Sequence, residues 1–529
     1  MGQILAIILF LIFFHCLFFE KLSSSFSAGS LGFAVFFTGF NFFLILGFSK
    51  RIFRQKHGEG LVFSFLAIFL SWLATFRGDR AFVGRILSWA SVGFTFLAIN
   101  DYVQTTPKLY SFFQIIFLPF SLGKAFLSAL FYQKDRLRQK IKKENHWLKF
   151  SLSIFSGLLI AFPFVAILLL LFNQADPIFA KFFKDFWRGG FSVFLKRLGV
   201  TFAWLFLLLP LLNMKIEEKI SFPKRGRKEN KRWLLEIGVV VGLTIIVLGW
   251  FLGVQFRYLF FPVEETKLIQ YGVKTYSEYV SRGFMELIFA SFIVYVLVRT
   301  SLLFGRLKLN LLLLTELTLL IISVFRRLFL YQFYHGLTVA RIFGAVFLFW
   351  LVAMVVILIL RHYSNKKWLL FEIGTTAIFL IFLGLFNVEN AVVLYAPPKV
   401  NNEVDEIYLA SLSPDGYLGW QKAYIWAENQ TILLKDKKEI SWDEARKLSY
   451  ALTIVSLLKA NYFSFSSSSS NWRQLNFSEQ STWLKMKKEI PKEKLETLYQ
   501  ELLDINDKIP GRIKEDIPFD RAPGRFFLR

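Results

Sequence analysis

The chain has 529 residues, of which 55% are hydrophobic and 19% are charged, and its formal net charge is +25. Soluble domains average about 45–50% apolar and about 25% charged residues, so this composition excludes an ordinary soluble protein and favours many segments in a lipid bilayer. Residues 1–387 hold 43 Lys and Arg against 18 Asp and Glu, whereas residues 388–529 hold 20 of each. The positive charge lies in short loops between apolar runs, so it does not indicate a nucleic-acid partner.

Eleven apolar runs suit a hydrocarbon core of about 30 Å, which a helix of roughly 20 residues crosses. They lie near residues 4–19, 29–48, 60–76, 82–99, 150–172, 191–212, 237–256, 284–304, 308–325, 342–360 and 368–387. No basic region precedes the first run, so we expect a retained span there instead of a cleaved signal peptide. A further run at 110–131 is ambiguous, because Pro119 and Lys124 lie near its middle.

Lys and Arg collect in five loops, at 49–59, 132–149, 213–234, 299–308 and 361–367. Cytoplasmic loops of membrane proteins are enriched in these residues. All five loops reach the cytoplasm only if an even number of spans separates residue 59 from residue 132. The runs 60–76 and 82–99 already supply two spans, so 110–131 should lie in the interface or in a re-entrant loop. The sequence therefore predicts an all-α integral membrane protein of about eleven spans, with the N-terminus inside and the C-terminal region outside. One miscounted span would place that region in the cytoplasm.

The C-terminal region has no apolar run long enough to span a bilayer. An extended piece should follow Asn387, and apolar residues at helical spacing predict helices near 403–412, 441–461 and 491–507. Ser441 and Glu444 form a capping pair for the second helix, and the run Ser466–Ser470 is typical of a linker. We therefore expect an N-terminal membrane region at 1–149, a membrane core at 150–387 and a small, mainly helical soluble domain at 388–529.

Familiar catalytic motifs are missing: the chain has no Gly-rich phosphate loop, no GxGxxG, no GxSxG and no HExxH. One cysteine, Cys16, and five scattered histidines favour neither a disulfide framework nor a metal site. We predict no catalytic residues and no cofactor. These absences weigh against an ATP-driven pump or a familiar membrane protease, and leave an enzyme with unfamiliar machinery open.

Glu316 lies in the middle of the run 308–325, where a carboxylate is unfavourable unless it is paired, protonated or facing water. It could couple a proton or cation to transport. It could equally form a packing hydrogen bond, with Asn310 and Ser323 as polar companions, or pair with Arg326, Arg327 or a cation of another span. Four glycines at 238, 242, 249 and 253 share one face of the run 237–256 and favour close helix packing over a ligand groove.

Two segments on the predicted outer side are rich in aromatic and charged residues. The first contains Tyr276, Tyr279, Arg282 and Glu286, and the second contains Arg327, Tyr331 and Arg341. Aromatic anchoring at the headgroup level explains the tyrosines, and the spacing of Arg282 and Glu286 allows a pair on one helix face. Arginines on the outer side need a negatively charged partner, which could be an anionic lipid, a small anionic ligand or the carboxylates of 264–286.

The same segments resemble bacterial membrane-protein families catalogued as domain of unknown function 4153 and 4173. The matching stretches are Ala175–Phe179, Tyr276–Leu287, Arg327–Tyr331 with Gly336-Leu337-Thr338 and Arg341, Asp405–Asp415, and a weaker one at Trp472–Ser478. The family tends to have Tyr directly before Gly-Leu-Thr, whereas this chain has His335, which puts any role of that phenol in doubt.

The resemblance implies a multi-pass membrane architecture but no chemistry. It points to one cluster of residues, Arg282, Glu286, Arg327, Tyr331 and Arg341. Our leading interpretation is a bacterial inner-membrane protein with a binding, sensing or regulatory role at the outer face. A transporter or channel with Glu316 as coupling carboxylate is the main alternative, and an intramembrane enzyme acting on lipid or cell-envelope precursors is the third. The expected partners are the bilayer and an anionic lipid or small anionic ligand.

Overall fold

The computed structural model describes residues 12, 29–55, 58–77, 82–103, 146–186, 197, 200–201, 234–260, 283–305, 307–364, 368–400, 403–437, 440–468 and 472–508. Apart from one two-stranded hairpin, the regular structure of these residues is helical. The all-α class that the sequence predicts is therefore confirmed.

Eleven helices precede the hairpin in the described part of the chain. They are α1 Leu31–Gln55, α2 Gly58–Thr75, α3 Phe82–Val103, α4 His146–Ala175, α5 Pro177–Phe186, α6 Leu234–Phe260, α7 Phe284–Phe304, α8 Lys308–His335, α9 Val339–Tyr363, α10 Leu369–Leu385 and α11 Val388–Tyr395.

The elements that follow make up most of the C-terminal region. They are β1 Lys399–Val400 and β2 Glu403–Val404, then α12 Glu406–Ala410, α13 Tyr417–Lys435, α14 Trp442–Ser468, α15 Phe477–Glu489 and α16 Lys492–Asp507, with 3-10 turns at Pro414–Gly416 and Trp472–Gln474. The two strands pair antiparallel, with Lys399 opposite Val404.

Six of the described helices are long and apolar enough to cross a membrane, or seven if α10 and α11, bent by 61° at their junction, form one broken span. α1 and α2 contain shorter apolar stretches, Leu31–Gly47 and Glu59–Thr75. The predicted runs 4–19, 110–131 and 191–212 lie almost wholly outside the described residues. The described part is thus a multi-pass membrane protein, and the total of about eleven spans stays a prediction.

The chain falls into two compact units. Unit 1 comprises Met1–Pro107, His335–Val339 and Ala377–Arg529, and unit 2 comprises Lys108–Tyr334 and Ala340–Thr376. Unit 1 therefore includes the short connection between α8 and α9, although both helices otherwise belong to unit 2. The predicted boundaries at 149 and 387 stay a prediction.

In unit 1, α1, α2 and α3 pack together through apolar side chains and a few buried polar bonds. Asn41 of α1 donates to Thr95 of α3 at 3.1 Å, and Trp72 of α2 donates to Thr38 of α1 at 2.9 Å. The C-terminal region has its own apolar core, which Trp420 of α13, Leu448 of α14 and Leu502 of α16 share with many other side chains.

The predicted elements of this region need three corrections. Residues 388–395 form helix α11 instead of an extended piece, because Asn387 caps it by accepting from Asn390 N at 3.0 Å. Residues 403–404 pair as a strand, so the helix predicted from 403 begins at Glu406. The helix α14 extends to Ser468, so the serine run begins as helix and not as a linker. The Ser441–Glu444 capping pair is confirmed, since Ser441 N donates to Glu444 Oε2 at 2.9 Å.

Candidate functional site

The centre of the candidate site in unit 2 is the junction between α4 and α5, where the sequence reads Ala175-Asp176-Pro177. Asp176 Oδ1 accepts hydrogen bonds from Ile178 N at 2.9 Å and Phe179 N at 3.2 Å, so the carboxylate caps α5. Pro177 fits the first position of that helix, where no backbone donor is needed. The local sequence therefore fixes Asp176 in one orientation.

The second oxygen of this carboxylate binds an arginine from α8. Arg327 Nη2 lies 3.0 Å from Asp176 Oδ2, and Arg327 Nη1 lies 3.5 Å from the Ala175 carbonyl oxygen. Both side chains are completely buried, at 0% and 1% exposure. Asp176 therefore serves two elements at once, since one oxygen caps α5 and the other holds α8.

A glycine allows a third element to reach this junction. Gly283, just before α7, has φ +73°, and a Cβ there would stand 2.2 Å from the Cα and carbonyl oxygen of Ala175. Side chains cannot fit at that distance, and L residues rarely adopt this backbone conformation. The segments around 175–177, 283 and 327, which lie far apart in the sequence, are thus in direct contact.

Aromatic side chains close this junction off. The rings of Phe172 and Phe251 stack with centroids 4.0 Å apart, and Phe179 packs edge-on against Phe251 at 5.3 Å. All three residues are completely buried. A buried ion pair that loses one partner leaves an uncompensated charge, which costs about 3–5 kcal/mol. Arg327 is therefore a structural joint, and Asp176 is its charged partner among the described residues.

The face of α8 that carries Arg327 continues towards the middle of the helix as a polar stripe. Glu316, Ser323 and Arg327 are spaced by seven and four residues, which places them on one helical face. Ser323 Oγ donates to Gln255 Oε1 of α6 at 2.7 Å. Asn310, a suggested companion of Glu316, instead accepts from Ser301 Oγ of α7 at 2.8 Å.

Glu316 meets α6 at a glycine. A Cβ built on Gly249 would stand 3.1 Å from Glu316 Oε1, whereas one built on Gly238, Gly242 or Gly253 would meet no atom of the described residues within 4 Å. Within the described part of the chain, the predicted close packing is found at Gly249, and at the other three glycines it stays a prediction. Glu316 Oε2 is buried and accepts no hydrogen bond from the described residues.

Three further predicted residues of this cluster, Glu286, Tyr331 and Arg341, lie near the ends of α7, α8 and α9. The Arg341 guanidinium lies 3.0 Å from the centroid of the Tyr331 ring, so these two residues form a cation–π pair. Glu286 is half-buried in the first turn of α7. Tyr276, Tyr279 and Arg282 lie outside the described residues, so the pair of Arg282 with Glu286 stays a prediction.

Sequence reasoning missed a second charge cluster in unit 2. Glu372 of α10 is 5% exposed and accepts from Arg299 Nε of α7 at 2.8 Å and from Arg361 Nη1 of α9 at 3.2 Å. From the sequence alone, the position of Glu372 near the end of the run 368–387 predicts an interfacial carboxylate. A signal was present, because the loops 299–308 and 361–367 were predicted on one side of the membrane together with the start of α10.

In unit 1, the connection between α8 and α9 is bonded to the C-terminal region. Gly336 has φ +71°, and a Cβ there would stand 2.2 Å from the Pro397 carbonyl oxygen. Leu337 N donates to the Ala396 carbonyl oxygen at 2.9 Å, and Val339 N donates to the Tyr408 hydroxyl at 2.8 Å. The Gly-Leu-Thr motif and the segment 405–415 therefore meet.

A second joint in unit 1 ties the α1–α2 pair to the C-terminal region. Asn476 Nδ2 donates to the carbonyl oxygens of Gly29 at 2.8 Å and Arg77 at 2.6 Å. The Asp415 carboxylate accepts from the Ser478 hydroxyl and lies 3.8 Å from Arg77 Nη1. The weaker family-like stretch at 472–478 thus has a structural role that its sequence did not reveal.

Metal chemistry finds no support in the part of the chain that the structure describes. Those residues contain no group of three or more His, Cys, Asp or Glu side chains that could hold an ion.

The comparisons with known proteins identify a family and nothing narrower. A family model described as "Domain of unknown function (DUF4153)" matches residues 8–423. No curated protein and no solved structure matches.

Proposed function

Since this chain belongs to the DUF4153 family, whose description assigns no function, we propose a role from its own geometry: a membrane-embedded regulatory protein. In this proposal the C-terminal region, residues 388–529, binds a ligand or partner and thereby controls helices α8 and α9. The role is one of binding and sensing, and it requires no catalysis.

The observation that carries the proposal is the bonding of the α8–α9 connection into the C-terminal region. Two backbone donors, Leu337 N and Val339 N, find their acceptors in that region, at Ala396 and Tyr408. Gly336 packs against Pro397 at a distance that excludes any side chain. A shift of residues 396–408 therefore acts directly on the ends of two helices that meet the length and apolarity of membrane spans.

We further propose that this connection and the C-terminal region lie on the outer face of a bacterial inner membrane. The charge distribution of the loops supports this orientation. At that face, the exposed Arg326 and the Arg341–Tyr331 pair would favour an anionic lipid headgroup or a small anionic ligand.

The test perturbs the connection from the C-terminal side. Tyr408→Phe removes the acceptor of Val339 N, and hydrogen exchange of the purified full-length chain in nanodiscs reports the effect. We expect faster exchange not only at 336–340 but also in the last turn of α8 and the first turn of α9. Tyr450→Phe, a change on the surface of α14, is the matched control.

Faster exchange confined to residues 396–412, with α8 and α9 unchanged, would show that the two helices do not respond to this region. The regulatory role would then be abandoned, whatever the orientation of the chain.

A further inference from the structure

The polar stripe of α8 contains a carboxylate that the regulatory role does not use. We propose that Glu316, seated against Gly249 between α8 and α6, is a proton-binding site at membrane depth. The proposal is independent of the function of the C-terminal region, and it points to a chain that exchanges protons within the bilayer.

The position of Glu316 is the first argument. It is the ninth residue of α8, and the stretch Lys308–Phe333 qualifies as a membrane span. At 1.5 Å of rise per residue, Glu316 lies roughly 12 Å from the start of that helix. A carboxylate at such depth is stable only if it is paired, protonated or in contact with water.

Pairing does not provide that stability in the described part of the chain. Arg327, on the same face, is bound to Asp176, and Lys308 begins the helix. The elements beside α8 carry Glu236 and Arg257 on α6, Glu286 and Arg299 on α7, and Arg341, Arg361 and His362 on α9, while Phe150–Ala175 of α4 carries no charged residue. Glu316 Oε2 is buried and lacks a hydrogen bond from any of these residues.

The glycine face of α6 is the second argument, because it leaves room beside the carboxylate. Gly242, Gly249 and Gly253 share one face, and among the described residues only Gly249 has a close neighbour, Glu316 Oε1 at 3.1 Å from a Cβ built there. Because no described atom lies within 4 Å of a Cβ at Gly242 or Gly253, we expect water or a small reagent to reach the carboxyl group along this face. A packing contact that served stability alone would be expected to fill this groove.

A third observation supplies a donor on the same helix pair. Gln255 of α6 is 2% exposed and accepts from Ser323 Oγ with its oxygen, while its amide nitrogen Nε2 has no acceptor among the described residues. Unsatisfied buried polar atoms are rare in proteins and mark places where water or another group binds. The polar stripe therefore has an unused acceptor at Glu316 and an unused donor at Gln255.

Dicyclohexylcarbodiimide tests the proposal, because it dissolves in lipid and reacts with protonated carboxyl groups. The full-length chain in nanodiscs is treated at neutral pH, and peptide mass spectrometry gives the modified fraction of each carboxyl. We expect Glu316 to react at least tenfold faster than Glu372, whose two carboxylate oxygens are bound by Arg299 and Arg361. The isosteric Glu316→Gln variant should lack the adduct on the same peptide.

Two further variants test the groove and keep the experiment independent of folding. Gly253→Val places a branched side chain on the same face of α6, one turn from the Gly249 contact, and should slow the modification of Glu316 severalfold. Gly374→Val in α10, where a Cβ would also meet no atom within 4 Å, should leave the rate unchanged. Each variant is accepted only if it elutes as the parent does in size-exclusion chromatography.

Modification of Glu316 no faster than Glu372 would overturn the proposal. Protection of Glu316 by excess sodium at constant pH would also overturn it, because the site would then bind a metal cation and not a proton. A rate that falls as the pH is raised, without a sodium effect, is the result that the proton assignment requires.

Discussion

Arg327 is a charged side chain buried as completely as the core aromatics around it, and its environment predicts a large response to substitution. Arg327→Met keeps the volume but removes the guanidinium that lies 3.0 Å from the buried Asp176 Oδ2. We expect the free energy of unfolding in detergent to fall by about 3–5 kcal/mol. Arg326→Met, at the exposed neighbouring position, should change it by less than about 0.5 kcal/mol.

The double variant Arg327→Met with Asp176→Asn separates pairing from packing. Asparagine still caps α5 through its side-chain oxygen, so the double variant should lose less stability than the sum of the two single variants. Additive losses would contradict the pairing and leave Arg327 with a packing role only.

Glu406, the first residue of α12, predicts a dependence of stability on pH. Burial raises the pKa of Glu406 to about 7 from the ordinary 4.5, with Lys422 opposing the shift and Asp405 adding to it. A carboxyl whose pKa is raised by folding contributes stability that is present below its unfolded pKa of 4.5 and is lost as the pH rises through about 7.

The full-length chain should therefore be more stable near pH 5 than near pH 8, by on the order of 1 kcal/mol from this group once partial solvent screening is included. Glu406→Gln should flatten that part of the pH profile in thermal unfolding. Glu403→Gln, at an exposed position three residues earlier, is the control. An unchanged profile in Glu406→Gln would mean that this carboxyl is ionised in the folded chain without penalty.

At the scale of elements, the connection between α8 and α9 depends on one glycine. Gly336→Ala forces a left-handed residue to carry a Cβ 2.2 Å from the Pro397 carbonyl oxygen. We expect the connection to detach from residues 396–398 and the unfolding free energy to fall by about 1–3 kcal/mol. Trypsin should then cleave faster after Arg341, which limited proteolysis of the purified chain measures.

Gly374→Ala in α10 is the control for this prediction, because a helical glycine with open space around it tolerates a methyl group. Its stability should stay the same or rise slightly, since alanine favours helix over glycine. Equal cleavage after Arg341 in Gly336→Ala and in the parent chain would contradict the close packing of the connection.

The long apolar helices could be predicted from the sequence, whereas some elements of the C-terminal region could not. Hydropathy identifies helices such as α6 and α9, because a bilayer demands length and apolarity of any span. α11 was predicted as an extended piece, because Ala396-Pro397-Pro398 dominated the pattern while the capping role of Asn387 depends on geometry. The strand at 403–404 depends on a partner strand, which local periodicity does not reveal.

Some candidate site residues could likewise be predicted from the sequence, whereas others could not. Glu316 could be found because a charge inside an apolar run is visible in the sequence. The partner of Arg327 could not be found in this way. Asp176 lies 151 positions earlier, and its role as the N-cap of α5 already accounts for an aspartate at that position. Contacts between segments that lie far apart in the sequence can be identified only from the three-dimensional structure. The binding of Arg299 and Arg361 by Glu372 is a second example.

At the scale of the whole molecule, the two ends of α9 should lie on opposite sides of the membrane. α9 has 25 residues and is about 37 Å long, enough to cross the hydrocarbon core. Thr338 precedes it and Ser364 follows it. The charge of the loops predicts Thr338 outside and Ser364 inside.

The single native cysteine makes this orientation measurable, since Cys16→Ser gives a background without thiols. In intact cells, an impermeant maleimide should label Thr338→Cys but not Ser364→Cys, which should react only after the membrane is permeabilised. Reporter fusions at residue 400 and after residue 529 should both report the outer side. The reversed labelling pattern would move the C-terminal region, and the anion-binding role proposed for Arg341, to the cytoplasm. Labelling of both cysteines in intact cells would contradict the assignment of α9 as a span, because a helix crossing the bilayer cannot present both ends to one side.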